Sequence, residues 1–438
     1  MGTKDFLCLK TWMAIAAAVL LILSTVAPLC SAQEVRDKKL PLVWVLATGG
    51  TIAGRGTSPT DLSNYKSGAL TGEEIVRSVP QLEQLAHVKV EQIANVPSYD
   101  ITLDNWLTLA NRINEIFAKD STVAGIVVTH GTNTLEETAY FLSLTIKHDR
   151  PVVLVGAMRP ATAISADGPL NLLNAVRTAV VPEARGKGVL IVLNDEINGA
   201  RDATKTDTHR LETFRAPELG FLGYVDDDKV SFYRSSTRRH TVNSEFDVSG
   251  IKQLPNVEIV YSYIQPSTTV LRALMDSGVQ GIVFAGTGAG DINSLDKSVI
   301  RTALASPAAS RPVLVRASRV GNGRVTGSDE LDRLGMIPAD NLNPQKARIP
   351  AHARAHENDG SQTDPADVCR VLTSRPSKPR TVFAPAGLGP SRQQRGWVRG
   401  LDAWPTHAAV AANTRGSLIV LVRVRWTLLP DRDLRAPL

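Results

Sequence analysis

Short apolar runs alternate with longer mixed segments along the first half of the chain. Two of the mixed segments, 106–118 and 135–145, are predicted to be helices between strands. The alternation predicts an open α/β sheet. The predicted strands are continuously apolar and end beside Gly, Asn or Thr, as parallel strands do when both faces of their sheet are covered: 42–47, 124–129, 151–156 and 188–193.

The same rhythm returns after a polar segment at about residues 226–255, which has few apolar repeats. We therefore expect a large N-terminal open-sheet domain over residues 38–230, a connection over 231–255 and a smaller C-terminal α/β domain over 256–349. Functional groups gather at the carboxyl ends of strands in such sheets, so the polar residues after each run are the first candidates for a site. The second domain is predicted from three further apolar runs: 257–261, 281–285 and 312–315.

The first 32 residues have the layout of a cleavable secretory signal. Lys4 and Lys10 precede an apolar stretch over residues 12–26, and small residues at 30–32 follow Pro28. A membrane anchor is the alternative, but the run is short for crossing about 30 Å of hydrocarbon. We expect a periplasmic or secreted protein with no membrane attachment after cleavage. Cleavage would leave one cysteine, Cys369, which cannot form an internal disulfide.

The formal net charge of +6 favours an acidic partner at first sight. Residues 373–438 hold 11 Lys and Arg against 3 Asp and Glu, whereas residues 1–372 hold 38 against 40. The excess positive charge therefore belongs to the C-terminal tail. We expect no nucleic-acid partner, because binding to nucleic acid would depend on that tail alone.

The chain lacks the sequence motifs of several common reaction types. The chain contains no HExxH, no paired CxxC, no GxSxG nucleophile elbow and no GxxxxGK[ST] phosphate loop. The segment GTGAG at 286–290 is only a weak echo of a dinucleotide-binding loop. We therefore expect no cofactor and no metal ion.

Threonine and lysine remain as candidates for chemistry. Thr51 and Thr132 follow predicted strands, and Lys205 lies in the segment RDATKT at 201–206. A threonine hydroxyl becomes a nucleophile when a neighbour removes its proton and fixed donors stabilise the resulting oxyanion. Lysine can act as the base because burial lowers its pKa. Each threonine alone could instead cap a turn or a helix. The hypothesis that they act in catalysis therefore rests on the joint occurrence of both threonines and the lysine.

Five segments resemble the bacterial-type L-asparaginases in order and spacing. The resemblance runs from about Pro41 to Ile349, and the signal-like N terminus resembles the secreted, type II branch. It implies an asparaginase-like α/β fold, an amide hydrolase that converts L-asparagine to aspartate and ammonia, and a homotetramer whose sites lie between domains of adjacent subunits. The segments are VLATGGTIA (45–53), GIVVTHGTNTL (125–135), VGAMRPATAISADGPLNLLNA (155–175), GARDATKT (199–206) and NLNPQKARI (341–349).

The resemblance also implies roles for individual residues. Thr51 corresponds to the nucleophile and Tyr65, in a Gly/Ser/Thr-rich loop over 54–68, to its activator. Such a loop could close over the substrate and exclude water. Ser98 corresponds to a contact to the substrate carboxylate. Thr132 and Lys205 correspond to a second threonine and its lysine partner.

Two positions depart from the family pattern, and a third is a candidate for a shared acidic residue. Asn133 stands where the family has an aspartate that holds the substrate's α-ammonium group, so we expect weaker substrate binding than in a typical member, by roughly ten- to a hundredfold. Asn133→Asp should therefore change KM for asparagine. Tyr99 stands where members carry glutamine or glutamate, which leaves the choice between asparagine and glutamine open. Glu330 is the candidate for an acidic residue that members draw from a neighbouring subunit.

The resemblance stops at Pro350, where members continue with an apolar helix. A one-base shift with permitted codons converts the residues after Ile349 into Leu-Leu-Met-Leu-Ala-Leu-Thr and later reaches a stop codon. The hypothesis is that residues 350–438 are a frameshift product, either an error in the sequence or a real lesion. If the tail is real, we expect the small domain to lack a packing helix and residues 373–438 to be largely disordered. The alternatives are a genuine basic extension and, for the whole protein, a periplasmic amino-acid-binding protein that has lost turnover.

Overall fold

The computed structural model describes residues 40–305 and 311–357. The predicted signal peptide and most of the predicted basic tail lie outside these residues. The strands are β1 (Leu42–Gly49), β2 (Arg55–Gly56), β3 (Tyr65–Lys66), β4 (His87–Val96), β5 (Val123–Thr129), β6 (Val152–Val155), β7 (Val189–Leu193), β8 (Glu196–Gly199), β9 (Thr204–Lys205), β10 (Phe214–Arg215), β11 (Gly223–Val225), β12 (Val230–Phe232), β13 (Val257–Tyr261), β14 (Gly281–Gly286), β15 (Val313–Ser318) and β16 (Met336–Pro338). The α-helices are α1 (Gly72–Arg77), α2 (Leu103–Lys119), α3 (Leu135–Thr145), α4 (Gly168–Val180), α5 (Thr269–Ser277), α6 (Ser294–Ala305), α7 (Asp329–Asp332) and α8 (Pro344–Glu357).

Eight strands form one large sheet in the order β12-β11-β8-β7-β6-β5-β1-β4. The strands from β4 to β7 pair in parallel, and β8, β11 and β12 extend the sheet with antiparallel pairs. The four predicted runs correspond to β1, β5, β6 and β7, which confirms the expected open α/β sheet. These strands are apolar throughout because helices cover both sheet faces, as Ile126 and Val128 pack on one side with α2 and α3 while Val127 packs on the other with α4.

The helices that flank the site begin at defined caps or turns. Thr102 accepts a hydrogen bond from the backbone of Asn105, whose side chain bonds back to Thr102, so α2 starts in a capping box. Helix α3 begins directly after the loop 130–134, so that loop connects the carboxyl end of β5 to the helix. Both predicted helices are confirmed in these positions.

The smaller domain contains a four-stranded parallel sheet in the order β13-β14-β15-β16. The three predicted runs correspond to β13, β14 and β15. Its apolar core includes Ile282, Phe284 and Ile300. The expected fold class, a large sheet domain followed by a smaller α/β domain, is therefore confirmed.

Two details differ from the expectations. Strand β12 (Val230–Phe232) still belongs to the large sheet, although the connection was expected to begin at 231. The expectation that the smaller domain lacks its last helix is wrong, because α8 continues through Pro350 to Glu357. Burial of Ala347, Ile349 and Ala351 against the rest of the core offsets the cost of Pro350 inside the helix. Among the described residues, no helix is long and apolar enough to cross a membrane.

Candidate active site

The site begins where β1 ends in two glycines. Gly49 and Gly50 have φ values of +100° and +84°, a region that glycine adopts without steric strain. A Cβ atom on Gly50 would lie 2.3 Å from the Cα atom of Gly131. The glycines therefore let the end of β1 approach the loop after β5, which brings the neighbourhood of Thr51 next to that of Thr132.

Thr51 lies in a single 3₁₀ turn (Thr51–Ala53) directly after the glycines. Its Oγ1 atom is 2.7 Å from the Oη atom of Tyr65, and either hydroxyl can be the donor. Tyr65 begins β3, which pairs with β2 in a short hairpin. Thr51 is 8% exposed, so its hydroxyl is largely shielded from bulk water while it still lines the cleft described below.

A second threonine is paired with the lysine predicted from sequence. The Nζ atom of Lys205 donates to Oγ1 of Thr132 and to Oδ1 of Asn133, both at 3.0 Å. Burial lowers the pKa of Lys205, while the negative charges of Asp207 and Glu136 act in the opposite direction. The lysine is therefore easier to deprotonate than an exposed one, and Thr132 connects it to the cleft.

Ser98 is hydrogen-bonded to the loop 130–134, which carries Thr132. Its Oγ atom accepts the backbone N–H of Asn133 at 3.1 Å, and its carbonyl oxygen accepts the hydroxyl of Thr134 at 2.7 Å. The serine hydroxyl keeps its own hydrogen for a bound group. Tyr99 is 69% exposed and lies at the same cleft.

The structure brings six of the eight predicted site residues to one cleft of about 220 Å³. Lys205 lies behind it and contacts Thr132 and Asn133. Glu330 does not line it; it lies in α7, where it pairs with Lys297 at 2.7 Å and Arg301 at 3.0 Å. The lining side chains are neutral: the hydroxyl residues are Thr51, Ser63, Tyr65, Ser67, Ser98, Tyr99 and Thr132, and the others are Gly50, Pro97, Gly131 and Asn133.

His130, which sequence reasoning gave no role, anchors the loop that carries Thr132. Its Nδ1 atom donates to the carbonyl oxygen of Gly131 at 2.8 Å, and its Nε2 atom accepts the hydroxyl of Thr138 at 3.0 Å. Thr138 accepts the indole N–H of Trp106 at 2.8 Å. Complete burial lowers the pKa of His130 to about 4, so the ring is neutral and its tautomer is fixed by these partners.

Glu136 is a second residue that sequence reasoning missed. Its carboxylate accepts the backbone N–H of Lys205 at 2.7 Å and the side-chain amide of Gln345 at 2.7 Å. Asn343 donates to it more weakly at 3.3 Å. Because Glu136 is in α3 and Gln345 in α8, one buried carboxylate connects the catalytic candidate Lys205 to both domains.

Lys346 fastens the same region from the smaller domain. It is fully buried, and its Nζ atom donates to the carbonyl oxygens of Ala200 at 2.9 Å, Arg201 at 3.0 Å and also Ala203. Burial lowers its pKa to about 8. These carbonyls belong to the segment just before Lys205, so α8 fixes the position of the residues that precede the lysine. The motif NLNPQKARI was the signal for this role, since it includes both Gln345 and Lys346.

The arrangement can supply a shielded hydroxyl nucleophile, a lysine of lowered pKa and several hydroxyl donors. Within residues 40–305 and 311–357, no group of three or more His, Cys, Asp and Glu side chains is arranged to hold a metal ion. The hydroxyl groups and the lysine fit hydrolysis of a small polar substrate by acid–base and nucleophilic steps.

Comparisons with known proteins agree with this chemistry. The family model "Asparaginase, N-terminal" matches residues 42–238, and "Glutaminase/Asparaginase C-terminal domain" matches residues 256–359. L-asparaginase 2 of Bacillus subtilis is 47% identical over 73% of this chain and 84% of its own. Glutaminase-asparaginase of Pseudomonas fluorescens biotype A is 44% identical over 78% of this chain and 93% of its own. The crystal structure of a probable cytoplasmic L-asparaginase from Campylobacter jejuni superimposes with a TM-score of 0.70 at 43% identity, over 76% of this chain and 99% of that one.

Proposed function

This chain belongs to the asparaginase/glutaminase family, and from that premise we propose that it hydrolyses the side-chain amide of L-asparagine, with L-glutamine as a second substrate. The observation that carries the proposal is the 2.7 Å contact between the hydroxyls of Thr51 and Tyr65, beside the pair formed by Lys205 and Thr132 at the same cleft. The comparisons give no support to the alternative of a binding protein without turnover.

The proposed first step is attack of Thr51 Oγ1 on the amide carbon. Tyr65 Oη accepts the threonine proton and gives its phenolic hydrogen to the amide nitrogen, so that the C–N bond breaks and neutral ammonia leaves. The acyl group then forms an ester with Thr51. Burial of Thr51 favours this step, because hydrogen bonds to developing charge are stronger where water is scarce.

The proposed second step is hydrolysis of that ester. The unprotonated amine of Lys205 accepts a proton from water through the hydroxyl of Thr132, and the resulting hydroxide attacks the ester carbon. The proton returns to Thr51 as the C–O bond breaks, which releases aspartate and restores the free hydroxyl. The lowered pKa of Lys205 supports this role, since only the unprotonated amine can act as a base.

Ammonia release from asparagine and from glutamine tests the proposal. We expect Thr51→Ala to lower kcat by at least about a thousandfold and Tyr65→Phe to lower it by about a hundredfold or more. Thr122→Ala is the matched control, because Thr122 is exposed and bonds only to Asp120 within the described residues. Turnover that survives Thr51→Ala would contradict the proposed nucleophile, and a folded protein without any turnover would favour the binding alternative.

The same proposal includes an exported homotetramer. The support for export is the signal-like layout of residues 1–32, and the support for assembly is family membership. N-terminal sequencing after expression should begin near Gln33, and light scattering should give four times the chain mass. An intact Met1 would contradict export.

A further inference from the structure

We propose that this chain also hydrolyses ω-monoamides of dicarboxylic acids that carry no α-ammonium group, with succinamate as the simplest substrate, nearly as fast as it hydrolyses asparagine. Succinamate is asparagine with hydrogen in place of the ammonium group, so the bond that breaks is the same. The inference rests on the amide hydrolysis proposed above and extends its substrate class. It follows from the charges and hydrogen-bonding groups that the cleft offers.

Among the described residues of one subunit, those that line the cleft offer no negative charge to a cationic group. None of the side chains that line it is a carboxylate, and seven of the eleven lining residues present hydroxyls. An ammonium group that leaves water needs charge-assisted hydrogen bonds to offset its desolvation, and neutral acceptors are about half as strong. The cleft therefore stabilises a bound α-ammonium group only weakly.

Asn133 offers an ammonium group only a neutral amide oxygen, and this oxygen already has a partner. Its Oδ1 atom already accepts a hydrogen bond from Lys205 Nζ at 3.0 Å. While Lys205 is protonated it can only donate, so this contact turns Oδ1 towards the lysine and occupies one of the two lone pairs of that oxygen. An ammonium group can only donate as well, so it would have to share this neutral oxygen with the Lys205 amine.

Three acidic side chains that could be considered for this charge are already bound to other donors. Glu136 is buried and accepts hydrogen bonds from the Lys205 backbone and from Gln345. Asp207 accepts the backbone N–H groups of His209 and Arg210. Glu330, the residue expected to act across a subunit boundary, is bound by Lys297 and Arg301, so its charge is offset by two cations.

The test compares kcat/KM for asparagine and succinamate, measured by ammonia release. In the native chain we expect the two values to agree within about tenfold. In Asn133→Asp we expect the preference for asparagine to rise by a further ten- to a hundredfold, because a carboxylate adds a charge-assisted bond to the ammonium group. The ratio is the readout, since any change in catalysis that affects both substrates cancels.

Asn111→Asp is the matched control, because Asn111 is exposed on α2 and the substitution adds the same charge outside the lining of the cleft. A native preference for asparagine above a hundredfold would overturn the inference while the proposed function stands. A ratio that Asn133→Asp leaves unchanged would also overturn it. If neither substrate releases ammonia, both the inference and the proposed function fail.

Discussion

Asn133 contacts Lys205, so the charge at position 133 affects the pH range in which Lys205 can act as the proposed base. Burial lowers the pKa of Lys205, so its amine is unprotonated at a lower pH than usual. A carboxylate at position 133 would stabilise the ammonium form, because it would place an opposite charge within about 3 Å of Nζ. We therefore expect Asn133→Asp to move the ascending limb of the kcat–pH profile to higher pH. A profile that stays in place would argue against Lys205 as the base.

His130 makes a residue-scale contribution to stability that depends on pH. Its pKa is about 4 in the folded protein and near 6.5 when unfolded, so the unfolded chain binds more protons between these values. Stability from this residue is thus fully present above pH 6.5 and is lost as pH falls towards 4, by about 3 kcal/mol in total.

Urea unfolding of His130→Gln at pH 7 and pH 4.5 measures this contribution. The free energy of unfolding of the variant should fall less on acidification than that of the native chain, by about 2 to 3 kcal/mol. His87→Gln, which changes an exposed histidine at the start of β4, should retain the native dependence. Parallel losses in the native chain and the His130 variant would contradict the expected role.

At the scale of elements, α8 carries two residues that do not suit its buried position. Pro350 lies inside the helix and cannot donate the hydrogen bond that the carbonyl of Lys346 would accept. His352 is 1% exposed, its Nε2 atom has no hydrogen-bond partner among the described residues, and burial lowers its pKa to about 4. A cavity of about 80 Å³ beside it is lined largely by apolar side chains, including Phe141 and Leu254.

These features lead to a prediction about the end of the chain. The shifted reading frame supplies Pro350→Leu and His352→Met, and together they should raise the free energy of unfolding by about 3 kcal/mol or more. Pro344→Leu is the matched control, because Pro344 is the first residue of the same helix, where proline is tolerated. Urea unfolding measures the change. A less stable double variant, or gene codons after Ile349 that do not fit the shifted frame, would refute the frameshift hypothesis.

The elements differ in how far the sequence predicts them. Strands β1, β5, β6 and β7 are buried on both faces, so each leaves a continuous apolar run that can be recognised locally. Strand β4 is at the sheet edge and alternates between partly buried and exposed residues, so its ten residues gave no such run. Helix α8 was missed beyond Pro350 because a proline inside a helix is unfavourable and polar residues follow it, and tertiary packing holds the helix.

At the scale of the whole described chain, the site depends on contacts that no local pattern could predict. Strand ends and the segment 201–206 indicated Thr51, Thr132 and Lys205 as candidates, whereas Tyr65 was predicted only through the family resemblance. Glu136 and Gln345 are 209 residues apart in sequence, and only the packing of α8 on α3 brings them to 2.7 Å. The catalytic candidates thus belong to the large domain, while their positions depend partly on the smaller one.

Two variants separate the effect of the Glu136 charge on Lys205 from the effect of the hydrogen bond between Glu136 and α8. Glu136→Gln removes a negative charge that raises the pKa of Lys205, so the ascending limb of the kcat–pH profile should move to lower pH, opposite to Asn133→Asp. Gln345→Ala keeps that charge but removes the link to α8. We expect it to lower kcat by about tenfold with the limb unchanged, because a displaced Lys205 is a less efficient base. Ammonia release measured across pH distinguishes the two, since a purely structural role for Glu136 would lower kcat in both variants without moving either profile.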